Sequence, residues 1–176
     1  MIEYKQASTA NELEQILVLQ QRNLPRSLSN EEMERDGFLT VEHSFELLEE
    51  MNEASPHIIA LENEKVVGYA LSMHPKFASS IEILKPMFHE INMAIDGKSN
   101  YMVMGQICVA KTHRSKGIFR KLYTTMKTKL PAGFDTIITE VDAKNQRSMN
   151  AHKAVGFEEL KTYHSDGKDW SLIVLQ

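Results

Sequence analysis

Basic side chains flank a single glycine in the stretch HRSKGIFRKLY, which runs from His113 to Tyr123. A nearly continuous apolar run, YMVMGQICVA, comes just before it, and apolar residues at helical spacing begin within it. A helix start carries backbone N–H groups without helical partners, and its dipole favours negative charge. The stretch therefore predicts a small-anion site where a strand leads into a helix, with a solvated turn before a surface helix as the alternative.

A second set of polar residues follows the next β-rich run, FDTIITEVDA. Asn145 is suited to cap a helix, and Ser148 and His152 follow on the same helix. Histidine can exchange a proton near neutral pH because its ordinary pKa is about 6.5. His152 is therefore a candidate proton donor, with a helix-face histidine bonded to a backbone group or water as the alternative.

The glycine-containing turn lacks the phosphate-binding fingerprints GxxxxGK[ST] and GxGxxG, which disfavours a nucleoside triphosphatase or a dinucleotide dehydrogenase. It reads R-x-x-G-x-F from Arg114 to Phe119, and the later run reads N-x-x-S-x-x-x-H-x-x-x-G-F from Asn145 to Phe157. These motifs resemble those of the GNAT superfamily of N-acetyltransferases, whose loop is [R/Q]-x-x-G-x-[G/A] and whose later motif is N-x-x-[A/S]-x-x-x-Y-x-x-x-G-F. The order of predicted elements also fits this family along the whole chain.

The resemblance implies a binding site for acetyl-CoA as the acetyl donor. Backbone N–H groups of the loop would face the pyrophosphate, with Gly117 allowing a close approach. Backbone groups of Ile107 and Val109 would pair with the pantetheine arm, and Asn145 would bond that arm and cap its helix. The positions assigned to acetyl-CoA are Ile107, Cys108, Val109, Arg114, Ser115, Lys116, Gly117, Ile118, Phe119, Arg120, Asn145 and Ser148.

The sequence departs from the family pattern at two positions. Phe119 stands where the family usually has glycine or alanine, and we expect its ring to turn into the core. His152 stands where the family commonly has a tyrosine that protonates the departing CoA thiolate. The resemblance therefore implies that His152 is the general acid.

The group that removes the amine proton is less clearly marked. An amine must be neutral to attack a thioester, and its ammonium form has a pKa near 10. Glu140 is the candidate base or water-positioning group, while Gln106 could position a water. His74 is another candidate base, and the alternative for each of the three is an ordinary surface or supporting polar side chain. Cys108 could form an acetyl-enzyme, but it lies in an apolar run, so direct transfer in a ternary complex is the prediction.

The predicted acceptor is the primary amine of a small molecule. In the family the first two helices and the segment between the middle strands choose the acceptor, and mixed charges there suit a small zwitterion or an amine. Residues 80–100 form a long insertion that would be a lid, a packing helix or a dimer contact. A regulatory module that binds acetyl-CoA and a protein N-terminal or lysine acetyltransferase are the alternatives. The residues assigned to the acceptor are Arg22, Phe38, His74 and Gln106.

Hydrophobic periodicity predicts the elements that position these residues. Helices are expected over 11–24, capped by Asn11, and over 41–54, with at most one helical turn between them. A hairpin is expected around Asn63, and a helix interrupted at Pro86 follows it. A strand, a helix, a strand, a helix and a final hairpin around DGKD complete the chain. The predicted fold is α/β, a GNAT-like mixed, mostly antiparallel six- to seven-stranded sheet with helices on both faces, in a single acetyltransferase domain over residues 1–176.

Composition narrows the classes of function. The chain has 176 residues and a net charge of −4, so it offers no basic field for nucleic acid. Its single cysteine permits neither an intrachain disulfide nor a thiolate zinc cluster, and no metal is expected. The sequence shows no signal peptide and no apolar run of about 20 residues, so it predicts a cytoplasmic protein without a membrane partner, either a monomer or a homodimer.

Overall fold

The computed structural model describes residues 1–95 and 100–176, which contain seven strands and six α-helices. The strands are β1 Glu3–Gln6, β2 Ile58–Glu62, β3 Lys65–Met73, β4 Tyr101–Val109, β5 Thr136–Asp142, β6 Glu158–Ser165 and β7 Lys168–Leu175. The helices are α1 Ala10–Gln21, α2 Asn30–Asp36, α3 Phe45–Ala54, α4 Lys85–Ile95, α5 Ile118–Thr128 and α6 Gln146–Val155. Among the described residues, none of the helices combines the length and the apolar character that a membrane-spanning helix needs.

The strands form one open sheet in the order β1-β2-β3-β4-β5-β7-β6. The pairs β1–β2, β2–β3, β5–β7 and β6–β7 are antiparallel, while β4 and β5 are parallel. The predicted mixed, mostly antiparallel α/β sheet is therefore confirmed. Backbone contacts divide the chain into two compact units, the first comprising 1–72 with 105–129 and the second comprising 73–104 with 130–176.

In the first unit, β2 and β3 join through the predicted tight hairpin. Asn63 and Glu64 both have positive φ, 50° and 62°, as a two-residue hairpin turn requires. A Cβ added at Gly68 of β3 would lie 3.2 Å from Cγ2 of Ile118, so the glycine allows α5 to pack closely on this face. The next residue, Tyr69, points to the other face of the sheet. There its hydroxyl donates to the side chain of Gln106, which also accepts a hydrogen bond from Gln20 of α1. Helices therefore cover both faces of this part of the sheet.

Capping explains where the first helices differ from prediction. Thr9 caps α1 and forms a capping box with Glu12, so the predicted cap at Asn11 is wrong. Ser29 caps α2 in the same way, which makes a seven-residue helix of a region predicted to hold at most one turn. α3 begins after Ser44, later than predicted. In each case the helix starts after a serine or threonine whose side-chain oxygen accepts a hydrogen bond from the backbone N–H three residues further along the chain.

In the second unit, Pro86 lies in the first turn of α4 instead of interrupting a helix. Proline fits this position because the first helical N–H groups need no helical partner. Residues 96–99 of the predicted insertion lie outside the described residues. α6 is capped at its start by Asn145, as predicted, and at its end by Gly156, whose φ of 119° suits glycine. β7 separates β5 from β6, and the final hairpin turns at Asp166 and Gly167.

Candidate functional site

The start of α5 carries backbone N–H groups that precede the first helical hydrogen bond. Gly117 occupies the cap position with φ 78°, and no side chain within the described residues caps the helix. The first helical hydrogen bond runs from the Lys121 N–H to the Gly117 carbonyl at 3.1 Å, so residues 118–120 lie before it. A Cβ at Gly117 would meet no described atom within 4 Å. Ser115 also has positive φ, 61°, which aligns the loop ahead of the helix. N–H groups at a helix start, together with the positive end of the helix dipole, are suited to bind an anion.

Arg114 anchors the loop to other parts of the first unit. Its Nη1 lies 3.0 Å from Oδ2 of Asp36, and its Nη2 donates to Oδ1 of Asn23 at 3.0 Å. Its Nε donates to the carbonyl of Val109 at 3.2 Å. The guanidinium is therefore engaged by a carboxylate and two further oxygens. The cations of the loop that remain exposed are Lys116 and Arg120, and they are better placed to add charge for an anion.

Gln106, assigned from sequence to the acceptor, lies in a buried polar network instead of on the surface. Its Oε1 accepts from the Tyr69 hydroxyl at 2.7 Å and from Nε2 of Gln20 at 2.9 Å. Its own Nε2 donates to the Val41 carbonyl at 2.8 Å. Gln106 is 7% exposed, so the structure assigns this side chain to holding β4 against α1. The assignment of Gln106 to the acceptor stays a prediction that these bonds do not favour.

The same network fixes the protonation of His43, a residue that the sequence reasoning missed. Nε2 of Gln20 donates to Nδ1 of His43 at 2.9 Å, so that ring nitrogen is an acceptor. Burial lowers the pKa of His43 to about 4, which makes the ring neutral with its proton on Nε2. That buried Nε2 has no hydrogen-bond partner in the part of the chain described.

The remaining acceptor candidates lie apart from Gln106. Arg22 lines an open groove of about 550 Å³ in the first unit, between the end of α1 and residues 110–112. Phe38 is 43% exposed and does not line that groove. His74 belongs to the second unit, where its Nδ1 accepts from the Lys76 N–H at 3.0 Å. Burial, with a smaller effect of Lys76, lowers the pKa of His74.

His152 is buried on α6 in the second unit. Its Nδ1 lies 2.8 Å from the carbonyl of Ser148, so this nitrogen must donate its proton there. Its ring meets Phe157 edge-to-face with centroids 5.1 Å apart. Burial lowers the pKa of His152 to about 4, and the Ser148 bond opposes that shift. The imidazole is therefore neutral at pH 7, with Nε2 as its unprotonated nitrogen.

Glu140 on β5 is a half-buried carboxylic acid of the second unit. The hydroxyl of Tyr163 on β6 donates to its Oε2. Burial raises the pKa of Glu140 to about 7, and the Tyr163 hydrogen bond acts in the opposite direction. Nothing in the local sequence around Tyr163 indicated this role, because the contact joins residues on two different strands. A carboxyl group with a pKa near the operating pH is suited to exchange a proton there.

The model of the acetyltransferase (GNAT) family matches residues 14–157, which is most of the chain. The chain belongs to this acetyltransferase family. A search of curated proteins gave no significant match.

Solved structures with this fold share little sequence with the GNAT chain. The NatC complex bound to Gag peptide and CoA aligns over 99% of this chain and 97% of its own, with TM-score 0.67 and 18% identity. The yncA protein of Salmonella typhimurium, with its cofactor acetyl-CoA, aligns over 100% and 94%, with TM-score 0.67 and 16% identity. The ribosomal-protein-S18-alanine N-acetyltransferase of Escherichia coli aligns over 99% and 93%, with TM-score 0.63 and 14% identity. At such identities the likeness shows the fold alone.

Phe119, Cys108 and the search for metal ligands bear on alternatives raised by the sequence of this GNAT chain. Phe119 is half-buried and packs edge-to-face on Tyr123 with centroids 5.3 Å apart, so its bulk lies along α5. Burial raises the pKa of the Cys108 thiol to about 12, which keeps it protonated and unsuited to nucleophilic attack. Among the described residues, no group of three or more His, Cys, Asp or Glu side chains is placed to hold a metal ion.

Proposed function

We propose that the chain is an acetyl-CoA-dependent N-acetyltransferase that acts on a primary amine of a small molecule, with residues 1–176 as one functional domain. The observation that carries this proposal is the start of α5, where Gly117 leaves backbone donors uncapped within the described residues. A Cβ at Gly117 would meet no described atom within 4 Å, which would let the pyrophosphate of acetyl-CoA approach the backbone closely. The exposed cations Lys116 and Arg120 would add charge there.

Acetyl-CoA would supply the acetyl thioester. Backbone groups at residues 118–120 would hold its pyrophosphate, while Arg114 keeps the loop in place through Asp36. The side chain of Asn145 already accepts from the Ser148 N–H at 3.0 Å, so its remaining donor would bond the pantetheine arm. The other positions of the loop and of β4 that the sequence assigns to acetyl-CoA would contribute mainly through their backbone.

Glu140 would be the general base. The ammonium of the acceptor has a pKa near 10, so it must lose a proton before its nitrogen can attack. A carboxylate with a pKa of about 7 holds such a proton far better than an ordinary glutamate does. The proton would move from the acceptor nitrogen to Glu140, and the neutral amine would then be acylated directly.

The role of His152 as general acid stays a prediction with a defined requirement. Because Nδ1 donates to Ser148, a proton for CoA would have to come from Nε2 of the imidazolium. With a pKa of about 4, only about one molecule in a thousand carries that proton at pH 7. A CoA thiolate needs little protonation to leave, since a thiol has a pKa near 8.5. Catalysis can therefore proceed with His152 neutral.

Two alternatives differ in what they predict for the same assay. A regulatory module would bind acetyl-CoA without turnover, and the raised pKa of Glu140 favours the enzyme over it. A protein N-terminal acetyltransferase is supported by two structural relatives, one bound to a peptide and one named for alanine of a ribosomal protein. The two enzymes differ in the size of the acceptor.

The test is calorimetric titration with acetyl-CoA, CoA and ATP, followed by thiol release on a panel of amines. The panel should contain small amines, amino acids and peptides with free N-termini. We expect acetyl-CoA and CoA to bind, ATP to bind weakly, and thiol release with one class of small amine. Release only with peptides would identify the protein acetyltransferase. Binding without release would favour the module, and absence of binding would contradict the proposal.

A further inference from the structure

Tyr163 reaches Glu140 across a whole strand. β7 lies between β5 and β6, and the register pairs Tyr163 with Trp170 and Glu140 with Leu172. The tyrosine ring must therefore span β7 for its hydroxyl to donate to Oε2 of Glu140. On β6, half-buried residues 161, 163 and 165 alternate with exposed residues 162 and 164, so Tyr163 belongs to the covered face. The pairing of β6 with β7 therefore fixes the direction in which the Tyr163 side chain points.

Among the described residues, the charges that act on Tyr163 are anionic. α4 contributes Glu90, which forms an ion pair with Lys161 of β6. Asp166 lies in the turn that follows β6. Burial, the bond to Glu140 and the charges of Glu140, Glu90 and Asp166 all raise the pKa of Tyr163, so the phenol keeps its proton. Tyr163 is therefore a fixed hydrogen-bond donor and does not act as an acid near neutral pH.

We propose that Tyr163 is a positioning residue for Glu140, which holds its carboxylate in one orientation and stabilises the ionised form that accepts the proton of the acceptor. The inference rests on the proposed function, because it gives Glu140 the role of base. The Tyr163 bond occupies Oε2, so Oε1 is the oxygen that would take the proton from the acceptor ammonium. Tyr163 keeps its own proton throughout, and Glu140 changes from carboxylate to carboxylic acid.

This role predicts a change that simple loss of packing would not produce. A hydrogen bond to an ionised carboxylate lowers its pKa, so its removal should raise the pKa of Glu140 above the value set by burial and the bond together. A structural role alone would reduce the rate equally at every pH. A positioning role would reduce it most at low pH and least at high pH.

The experiment compares Tyr163→Phe with wild type in rate against pH, using the amine that the panel identifies. A rise of one unit in the pKa of Glu140 would lower the rate at pH 7 by about fivefold and leave it almost unchanged above about pH 9. Tyr101→Phe is the matched control, since Tyr101 is a buried tyrosine of the same unit. Its profile should keep the wild-type midpoint. A Tyr163→Phe profile with that same midpoint would overturn the inference.

A second measurement does not depend on activity. Carbon-13 NMR of the Glu140 carboxyl, assigned with Glu140→Gln, gives its titration midpoint in wild type and in Tyr163→Phe. We expect the midpoint to rise in the variant, and an unchanged midpoint would overturn the inference even if the enzyme is active. If wild type releases no thiol with any amine, the proposed function fails whatever the midpoint does. The two failures are therefore distinguishable.

Discussion

The helices α5 and α6 both follow directly after a strand, but their first turns differ in how the backbone N–H groups are satisfied. Each helix follows a buried apolar strand, β4 for α5 and β5 for α6. At α6 the chain satisfies its own first turn, because Oδ1 of Asn145 accepts from the Ser148 N–H at 3.0 Å. At α5 the cap is Gly117, and within the described residues no side chain takes its place. The helix that lacks an internal acceptor is the one suited to accept an external anion.

The lack of a side-chain cap at α5 is not shared by the first three helices of the chain. Thr9, Ser29 and Ser44 cap α1, α2 and α3 with side-chain oxygens. A helix-start serine, threonine, asparagine or aspartate typically stabilises a protein by about 1 kcal/mol relative to alanine. Glycine at a cap is less favourable than these residues by only about a few tenths of a kcal/mol, so Gly117, together with the positive φ at Ser115, costs a small amount of stability at one place. A ligand that bonds those N–H groups would recover it.

Gly117→Val should break the comparison most strongly. Valine at a φ of 78° costs roughly 2 kcal/mol or more, so the loop would leave this conformation and turn its N–H groups away. We expect the affinity for CoA, measured by calorimetry, to fall by about thirtyfold or more.

Gly133→Val is the matched control for backbone strain. Gly133 has a φ of 89°, and a Cβ there would also meet no described atom within 4 Å. This variant should lose similar stability in urea unfolding while its affinity for CoA stays unchanged. Equal losses of CoA affinity in both variants would show that strain, and not the loop at α5, controls binding.

The pH dependence of stability should report the second difference between the helices, the buried His152 of α6. Its pKa is about 4 in the folded protein and near 6.5 in the unfolded chain, so the unfolded state binds more protons between these values. The stabilising contribution is complete above pH 6.5 and is lost as pH falls towards 4. Between pH 7 and 5 we expect His152 alone to account for a loss of about 2 kcal/mol.

His152→Gln provides the measurement, because glutamine does not titrate. Urea unfolding at pH 7 and pH 5 should show a smaller loss in the variant, with His43 and His57 contributing equally to both proteins. An identical pH dependence in the two proteins would mean that His152 is not buried in its neutral form. The general-acid role would then regain support.

The sequence predicted what local patterns control. The strand before α5, the glycine at its start and the cap of α6 at Asn145 follow from hydrophobic period and helix-end chemistry. The capping boxes of α1 and α2 are also visible in the sequence as a serine or threonine followed three residues later by a glutamate. The prediction missed both, because it placed the cap of α1 at Asn11 and treated the region of α2 mainly as a loop.

Partners that are distant in sequence could not be predicted. Arg114 was assigned to the acetyl-CoA site, yet Asn23, which follows α1, and Asp36 at the end of α2 engage its guanidinium. Tyr163 gave no signal because its link to Glu140 depends on the order of β5, β7 and β6. No periodic pattern or residue spacing in the sequence marks either contact, because each depends on how separate elements pack together.

Asn145→Ala should make the start of α6 resemble that of α5. Loss of the side-chain acceptor at the cap typically costs about 1 kcal/mol, which urea unfolding would detect. Asn145→Ser is the control, because serine caps about as well as asparagine. If the side chain of Asn145 also bonds acetyl-CoA, both variants should lose affinity, and equal affinity in all three proteins would confine Asn145 to capping.

Lys116→Gln should give the smallest change and sharpen the comparison at the level of charge. Lys116 is exposed beside the bare helix start, so its attraction for a phosphate is weakened by solvent. We expect a loss of about two- to threefold in CoA affinity at low salt that disappears near 0.5 M salt. Arg114→Gln is the contrasting variant, because it removes a partner of Asp36 and its effect on affinity should not depend on salt. A salt-dependent loss in Arg114→Gln with none in Lys116→Gln would return the phosphate contact to Arg114, and the Asp36 ion pair would then have to open when CoA binds.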